Sequence, residues 1–307
     1  MLDIKASQVY NYSIKQKWTV FQERGNKMKK IFSIILTVAI LCLGAIGLTS
    51  CGEDSIIVQT NAFFAPFEYY DGTEIVGVDV EIMELVGKKL GKKIEWKDGD
   101  FGIIIDTVKE GKLADCGAAG LTITEERAAK VDFSNPYYTS IQYVVVPESS
   151  TIATKTAGGV EYVVWNALAG MEVATQTDTT GWIYADAEID TEGGVLYGTG
   201  TTHTPMDTAQ VAADALGKTI DVLVIDELPA QYTVENAEGL KCYPLYYQGG
   251  EGEADSPVEE QYAICVTKGD TELLDAINEV LEDLLKEDSS GQTKIEKMVM
   301  AHMGMDK

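Results

Sequence analysis

Histidine is nearly missing from this chain: among 307 residues there are two, His203 and His302. No group of His and Cys has the spacing of a zinc site. A glycine-rich phosphate loop is also missing, as is the G-x-S-x-G turn that exposes a serine nucleophile. Nothing in the chain calls for a metal or a cofactor. Basic residues are scarce, 24 Lys and Arg against 49 Asp and Glu, a formal net charge of −25. So acidic a surface disfavours nucleic acid and anionic lipid headgroups as partners. Cysteine is sparse, with five in all. Beyond Cys51, Cys116, Cys242 and Cys265 sit in apolar, strand-like surroundings and read as buried free thiols, with a Cys242 to Cys265 bridge as the alternative.

Long apolar runs are equally rare, and the longest is informative. Ile31 to Leu48 carries no charge and follows the basic Met28-Lys29-Lys30. The run is long enough for a spanning helix, but its flanks are those of an export signal. Leu48-Thr49-Ser50-Cys51-Gly52 resembles a bacterial lipobox, in which the cysteine becomes the lipidated first residue of the mature chain. Residues 1–50 are therefore expected to be an upstream leader and lipoprotein signal peptide, with Met28 as the true start. Residues 51–55 would be a tether. Two acyl chains on Cys51 suffice for stable anchoring where one is marginal, which puts the protein on the outer face of the cell membrane. The remaining chain exceeds one average domain, so two lobes are expected.

The mature chain is organised around Gly120-Leu121-Thr122-Ile123-Thr124-Glu125-Glu126-Arg127. Leu113 to Ala119 reads as a buried strand of small residues, and Gly120 lets a ligand approach the backbone closely. Thr124 reads as an N-cap, with Glu125 and Glu126 in the first turn of a helix. Free N–H groups at such a turn attract an anion. Arg127 adds a planar fork suited to a carboxylate, and the Thr122 hydroxyl is a neutral donor beside it. An ordinary capped helix with a surface arginine is the plainer alternative.

Around this stretch the chain alternates. Ile56 to Thr60 is a strand, and Asn61 to Gly72 an aromatic loop containing Phe64. Val78 to Leu90 is a helix with Gly91 as C-cap, Ile94 to Trp96 a strand, and Phe101 to Lys112 a second helix. This rhythm implies a parallel sheet with ligands at the carboxyl ends of its strands. Gly120 and Phe64 belong at that edge.

Four motifs in order carry a family likeness: Phe64-Ala65-Pro66-Phe67-Glu68, Val76-Gly77-Val78-Asp79-Val80, Gly120 to Arg127, and Val131-Asp132-Phe133-Ser134-Asn135-Pro136-Tyr137-Tyr138. Together they resemble the polar amino-acid binding proteins, the extracytoplasmic solute receptors of ABC importers. A thinner likeness continues through Ala169 to Ala174, Asp178 to Gly181, Asp221 to Asp226 and Tyr262 to Val266. The resemblance implies a two-lobed α/β fold of the periplasmic-binding-protein-like kind (type II), with a ligand cleft between lobes joined by two extended crossovers. Lobe 1 would take residues 56–146 and 262–307, and lobe 2 residues 147–261. The acidic stretch Gly249 to Glu260 reads as a solvated loop at the return crossing.

The resemblance further implies the site. Arg127 would take the α-carboxylate of a free amino acid, with Thr122 and Thr180 completing its shell. Asp226 would accept from the α-ammonium with the Gly120 carbonyl, and Phe64 and Phe101 would wall the side chain. Asp178 departs from the family's usual glycine, and its carboxylate would repel an anion unless turned outward. Asn61 stands where binders of basic amino acids place an aspartate, which points to an uncharged ligand side chain. Implied partners are an ABC permease with its cytoplasmic ATPase. No enzyme is expected; the alternatives are a sensor that reports its ligand without transport, and a dehydratase-like enzyme with Asp226 as general base.

Overall fold

The computed structural model describes residues 55–305. The leader, Cys51 and nearly all of the tether lie outside the described residues. The chain begins with β1 (Ser55–Thr60), β2 (Phe63–Phe64), β3 (Glu68–Asp71) and β4 (Glu74–Val76), then α1 (Val78–Leu90) and β5 (Lys93–Asp98). Helix α1 forms because Val78, Ile82, Met83 and Val86 share one fully buried face, and Gly91 ends it in the left-handed region at φ 67°. Next come α2 (Ile104–Glu110), β6 (Cys116–Gly117), α3 (Glu125–Lys130), β7 (Asp132–Phe133) and the long β8 (Tyr138–Pro147). The second half holds β9 (Lys155–Ala157), β10 (Val160–Val164), β11 (Glu172–Gln176), α4 (Thr180–Ala185), β12 (Thr202–Met206), α5 (Ala209–Ala215), β13 (Val222–Asp226), α6 (Glu227–Asn236) and β14 (Leu240–Tyr247). Strands β15 (Ser256–Pro257), β16 (Glu259–Tyr262) and β17 (Cys265–Val266) return, and α7 (Thr271–Leu284) and α8 (Lys294–His302) follow.

Two sheets result. The first runs β5-β1-β6-β17-β7, with β1, β5 and β6 parallel and β17 inserted antiparallel from the far end of the chain. The larger runs β12-β11-β13-β8-β14-β10-β9. Two adjacent antiparallel strands, β8 and β16, connect them, paired from Tyr138 with Tyr262 to Ile141 with Glu259. Strand β8 serves both parts, because from Gln142 to Pro147 it pairs with β13 and β14 of the larger sheet. The expected division at residue 146 thus falls within a continuous strand. Side-chain alternation along β8 sends Val144 and Val146 into a core with Trp165, Leu168, Val173 and Leu245. Tyr143 and Val145 face the other way, toward Ala212, Leu223 and Leu228.

Two expectations need correction. The strand expected over Leu113 to Ala119 is only Cys116–Gly117, and Leu113 is 66% exposed. The physical reason is a side chain: the Asp115 carboxylate accepts the Ile57 N–H at 2.7 Å, where a regular ladder would use a carbonyl. The helix expected over Phe101 to Lys112 is a 3₁₀ turn at Phe101–Ile103 followed by α2, stopped by Gly111 at φ 61°. Cys242 lies on β14 and Cys265 on β17, in different sheets, and both are free, as is Cys116.

Gly77 precedes α1 at φ 137°, and a Cβ there would lie 2.1 Å from the Phe67 carbonyl oxygen. Gly77→Ala is therefore expected to cost about 3 kcal/mol, from strain and overpacking together. Urea unfolding checks this, and a loss below about 0.5 kcal/mol would contradict it.

Candidate functional site

The segment from Gly120 to Arg127 is shaped by close contacts. Gly120 has φ 53°, and an added Cβ would come within 2.8 Å of the Phe64 ring, so both backbone and space require glycine. Its N–H donates to Asp79 Oδ2 at 3.0 Å, and Tyr137 O–H donates to the other oxygen of Asp79. Thr124 is the N-cap of α3, its hydroxyl accepting the Arg127 N–H at 3.1 Å. Arg127 is 8% exposed, so it is not the surface arginine of the plainer alternative. Its Nη1 donates to the Thr122 carbonyl at 2.9 Å, and Nη2 reaches the Asp178 carbonyl at 3.1 Å. The guanidinium lies 5.3 Å from the centre of the Phe101 ring, a cation–π arrangement.

Facing it are two buried carboxylates. Asp226 ends β13 and begins α6, yet its side chain does not cap that helix. It accepts instead from Gln142 Nε2 and, at 2.5 Å, from Tyr262 O–H. Glu260 is 3% exposed, which corrects the reading of Gly249 to Glu260 as wholly solvated. Its Oε2 accepts from the hydroxyls of Thr122 at 2.6 Å and Thr180 at 2.5 Å, and Gln142 Nε2 donates to its Oε1. Thr180 is the first residue of α4, whose cap is its neighbour Thr179.

Asn61, Phe64, Phe101, Gly120, Thr122, Arg127, Thr180 and Asp226, all expected at the site, line one cavity. Gln176 and Thr179 join them. The cavity measures ≈ 20 Å³, about the space of one water. Asn61 Nδ2 donates to the Gly99 carbonyl at 2.8 Å, and Gln176 Nε2 donates to Asn61 Oδ1 at 2.9 Å. That end of the cavity is thus built of amides. Phe64 both lines the cavity and packs on Phe67 and Tyr262, so it serves core and cleft at once. Asp178 turns away: its backbone is left-handed at φ 64°, and its carboxylate lies against Gly102. There it borders a separate cavity of ≈ 420 Å³ on the other side of Arg127. The expected repulsion at Thr180 is thereby avoided.

Burial dominates the electrostatics. It raises both Asp226 and Glu260 above the ordinary carboxylate range, and for Asp226 the charge of Glu260 adds to the effect. Hydroxyl and amide donors and the Arg127 charge pull both back in part. Desolvation lowers Arg127, and Glu260 is the foremost of the groups opposing that. Such a group of one guanidinium and two carboxylates, out of water and tied by hydroxyls, can hold a small molecule carrying both charges. Among the described residues no cluster of His, Cys, Asp or Glu is arranged for a metal. No described helix is long and apolar enough to cross a membrane.

Glu260, Gln142, Gln176, Thr179 and Tyr262 were not expected here. A signal for Glu260 existed in the alternation Val258, Glu260, Tyr262, all three buried, with Glu259 and Gln261 exposed. Gln142 is a fully buried polar residue between Ile141 and Tyr143 on β8.

The chain is similar to known proteins. Residues 56–296 match the family described as bacterial extracellular solute-binding proteins, family 3. The arginine-binding extracellular protein ArtP of Bacillus subtilis (strain 168) is 28% identical over 276 residues, covering 88% of this chain and 97% of its own length. The amino acid ABC transporter substrate-binding protein AbpA from Streptococcus pneumoniae, solved bound to L-arginine, superposes with a TM-score of 0.67 at 25% identity. That match covers 82% of this chain and 95% of AbpA. An ancestral arginine-binding protein solved bound to glutamine gives 0.65 at 30% identity, covering 82% and 98%. All three are named as binding proteins.

Asp79 offers a test of how Gly120 is held. Burial pushes its carboxyl from 3.8 up to about 6, against the pull of the Tyr137 and Gly120 hydrogen bonds. Because the folded value exceeds the unfolded one, its stability contribution is full below about pH 4 and is lost as pH rises through about 6. Between about pH 4 and about pH 7 the wild type should lose about 3 kcal/mol more than Asp79→Asn. Urea unfolding at both pH values measures the difference, and parallel pH profiles would contradict it.

Proposed function

The chain belongs to the bacterial extracellular solute-binding proteins of family 3, and from that premise we propose that it is a lipid-anchored receptor for a free amino acid. It closes on its ligand and delivers it to an ABC permease driven by a cytoplasmic ATPase. One observation carries this reading: Arg127 and Asp226, of opposite charge and on opposite lobes, are buried and line the same small cavity. The α-carboxylate of an amino acid pairs with Arg127 and the Thr122 and Thr180 hydroxyls, and its α-ammonium with Asp226 and the Gly120 carbonyl. Charge-assisted bonds of this kind contribute roughly 1.5–3 kcal/mol each, so a few of them account for about micromolar affinity. Because both lobes supply partners, the bound ligand favours closure by its own contacts.

Asn61, Gln176, Phe64 and Phe101 present amides and rings to the ligand side chain, which supports an uncharged one. The relatives solved with arginine and with glutamine make those two the natural pair for comparison. The Cys51 anchor places the receptor beside its permease on the outer face of the membrane.

A thermal-shift screen against the standard amino acids and several dicarboxylates tests the ligand class. A ligand at about a hundredfold excess over its dissociation constant stabilises by about 2.7 kcal/mol. At least one α-amino acid should raise the midpoint, and Arg127→Ala should weaken its binding about a hundredfold while the fold persists. Stabilisation by non-amino carboxylates alone would remove the role given to Asp226. In cell fractionation, Cys51→Ala should move the protein from membranes to the soluble fraction; a variant that still sediments with membranes refutes the lipid anchor.

A further inference from the structure

Glu260 is the site carboxylate to which the ligand contacts above give no role. It sits on β16, the return crossover, where alternation turns Glu260 and Tyr262 inward and leaves Glu259 and Gln261 outside. One of its oxygens, Oε2, takes hydroxyl protons from both lobes: Thr122 follows the first sheet, and Thr180 opens α4 behind the second. The other takes Gln142, on the neighbouring crossover β8. The carboxylate is therefore bonded to the first lobe, the second lobe and the hinge at the same time. Glu260 itself does not line the ≈ 20 Å³ cavity, but both of its hydroxyl donors, Thr122 and Thr180, do.

Thr122 and Thr180 are the hydroxyls assigned above to the α-carboxylate of the ligand. A hydroxyl has a single proton to donate, so each can serve Glu260 or the ligand, not both. Two carboxylates side by side in a site this buried also repel strongly. We propose that Glu260 is an internal carboxylate that competes with the α-carboxylate of the ligand for Thr122 and Thr180. Through those two hydroxyls it ties the lobes together, and the ligand must displace it to bind. The competition rests on the amino-acid reading; the tie between lobes does not.

Glu260→Ala and the isosteric Glu260→Gln, made in the full chain, test both halves. For the tie, one dye is placed on exposed Glu84→Cys in α1 and another on exposed Glu161→Cys in β10. Without added amino acid, Glu260→Ala should lower energy transfer between them relative to the parent, and Glu260→Gln should lower it less. Unchanged transfer in both variants overturns the tie. For the competition, calorimetric titration with L-arginine and with L-glutamine should show Glu260→Ala binding at least one of them about tenfold or more tightly. A merely structural role would weaken binding or leave it alone. Weaker binding or equal affinity would therefore overturn the competition. Should neither amino acid bind the parent or the variants, the amino-acid reading fails and the competition with it, and energy transfer alone decides the tie.

Discussion

A guanidinium held out of water between two lobes is the constraint on which the rest of this site depends. Arg127 does not shed its proton in a protein, so the charge must be met where it stands. An unmet buried charge is far too costly to persist. The structure meets it with one carbonyl from each lobe, the face of Phe101 and two carboxylates beyond. Those carboxylates bear the strain of the arrangement, both held above their ordinary range by burial. One guanidinium against two neighbouring buried acids gives a seam that tolerates little added charge. A simple anion or cation would unbalance it, whereas a zwitterion adds a charge of each sign where its opposite already waits. This supports an amino acid over a plain carboxylate as the ligand proposed here.

The same seam is linked to the hinge. Arg127 and Thr122 ride with the first sheet, and Thr180 and Asp226 with the second. Gln142 and Glu260 sit on the crossovers between them. The Gln142 amide donates to both acids, so the path from Asp226 to Glu260 runs through the paired crossover strands. In the closure proposed above, groups placed in this way change their distances together, and a ligand that satisfies them all selects the closed geometry.

How much of this was legible in the sequence depends on how local each signal is. Gly120, Thr124 and Arg127 were readable because the turn, the cap and the fork each use neighbouring residues. Asp226 announced itself as a charge ending the apolar run Val222 to Ile225. Glu260 was hidden by its company, since it closes an acidic stretch whose other members gave the segment the look of a loop. Only its pairing with β8 fixes the register that buries it, and such pairing is non-local. The short β6 was unreadable for a related reason: the Asp115 side chain replaces a main-chain acceptor, and no pattern of hydrophobicity records that.

Asp178 shows how the two kinds of information meet. Its backbone sits at φ 64°, a conformation that favours glycine but that aspartate tolerates better than most residues. That conformation aims its carbonyl at Arg127 and sends its side chain the other way, into space that exists because residue 102 is glycine. A Cβ at position 102 would lie 2.0 Å from the Asp178 carboxylate, so the two positions are complementary across the seam. The carboxylate that looked like an obstacle to anion binding is thus placed outside the cavity by the same backbone turn that gives the guanidinium one of its two carbonyl partners. The cost of the left-handed residue is offset by a hydrogen bond to a buried cation, which is worth more than one between neutral groups.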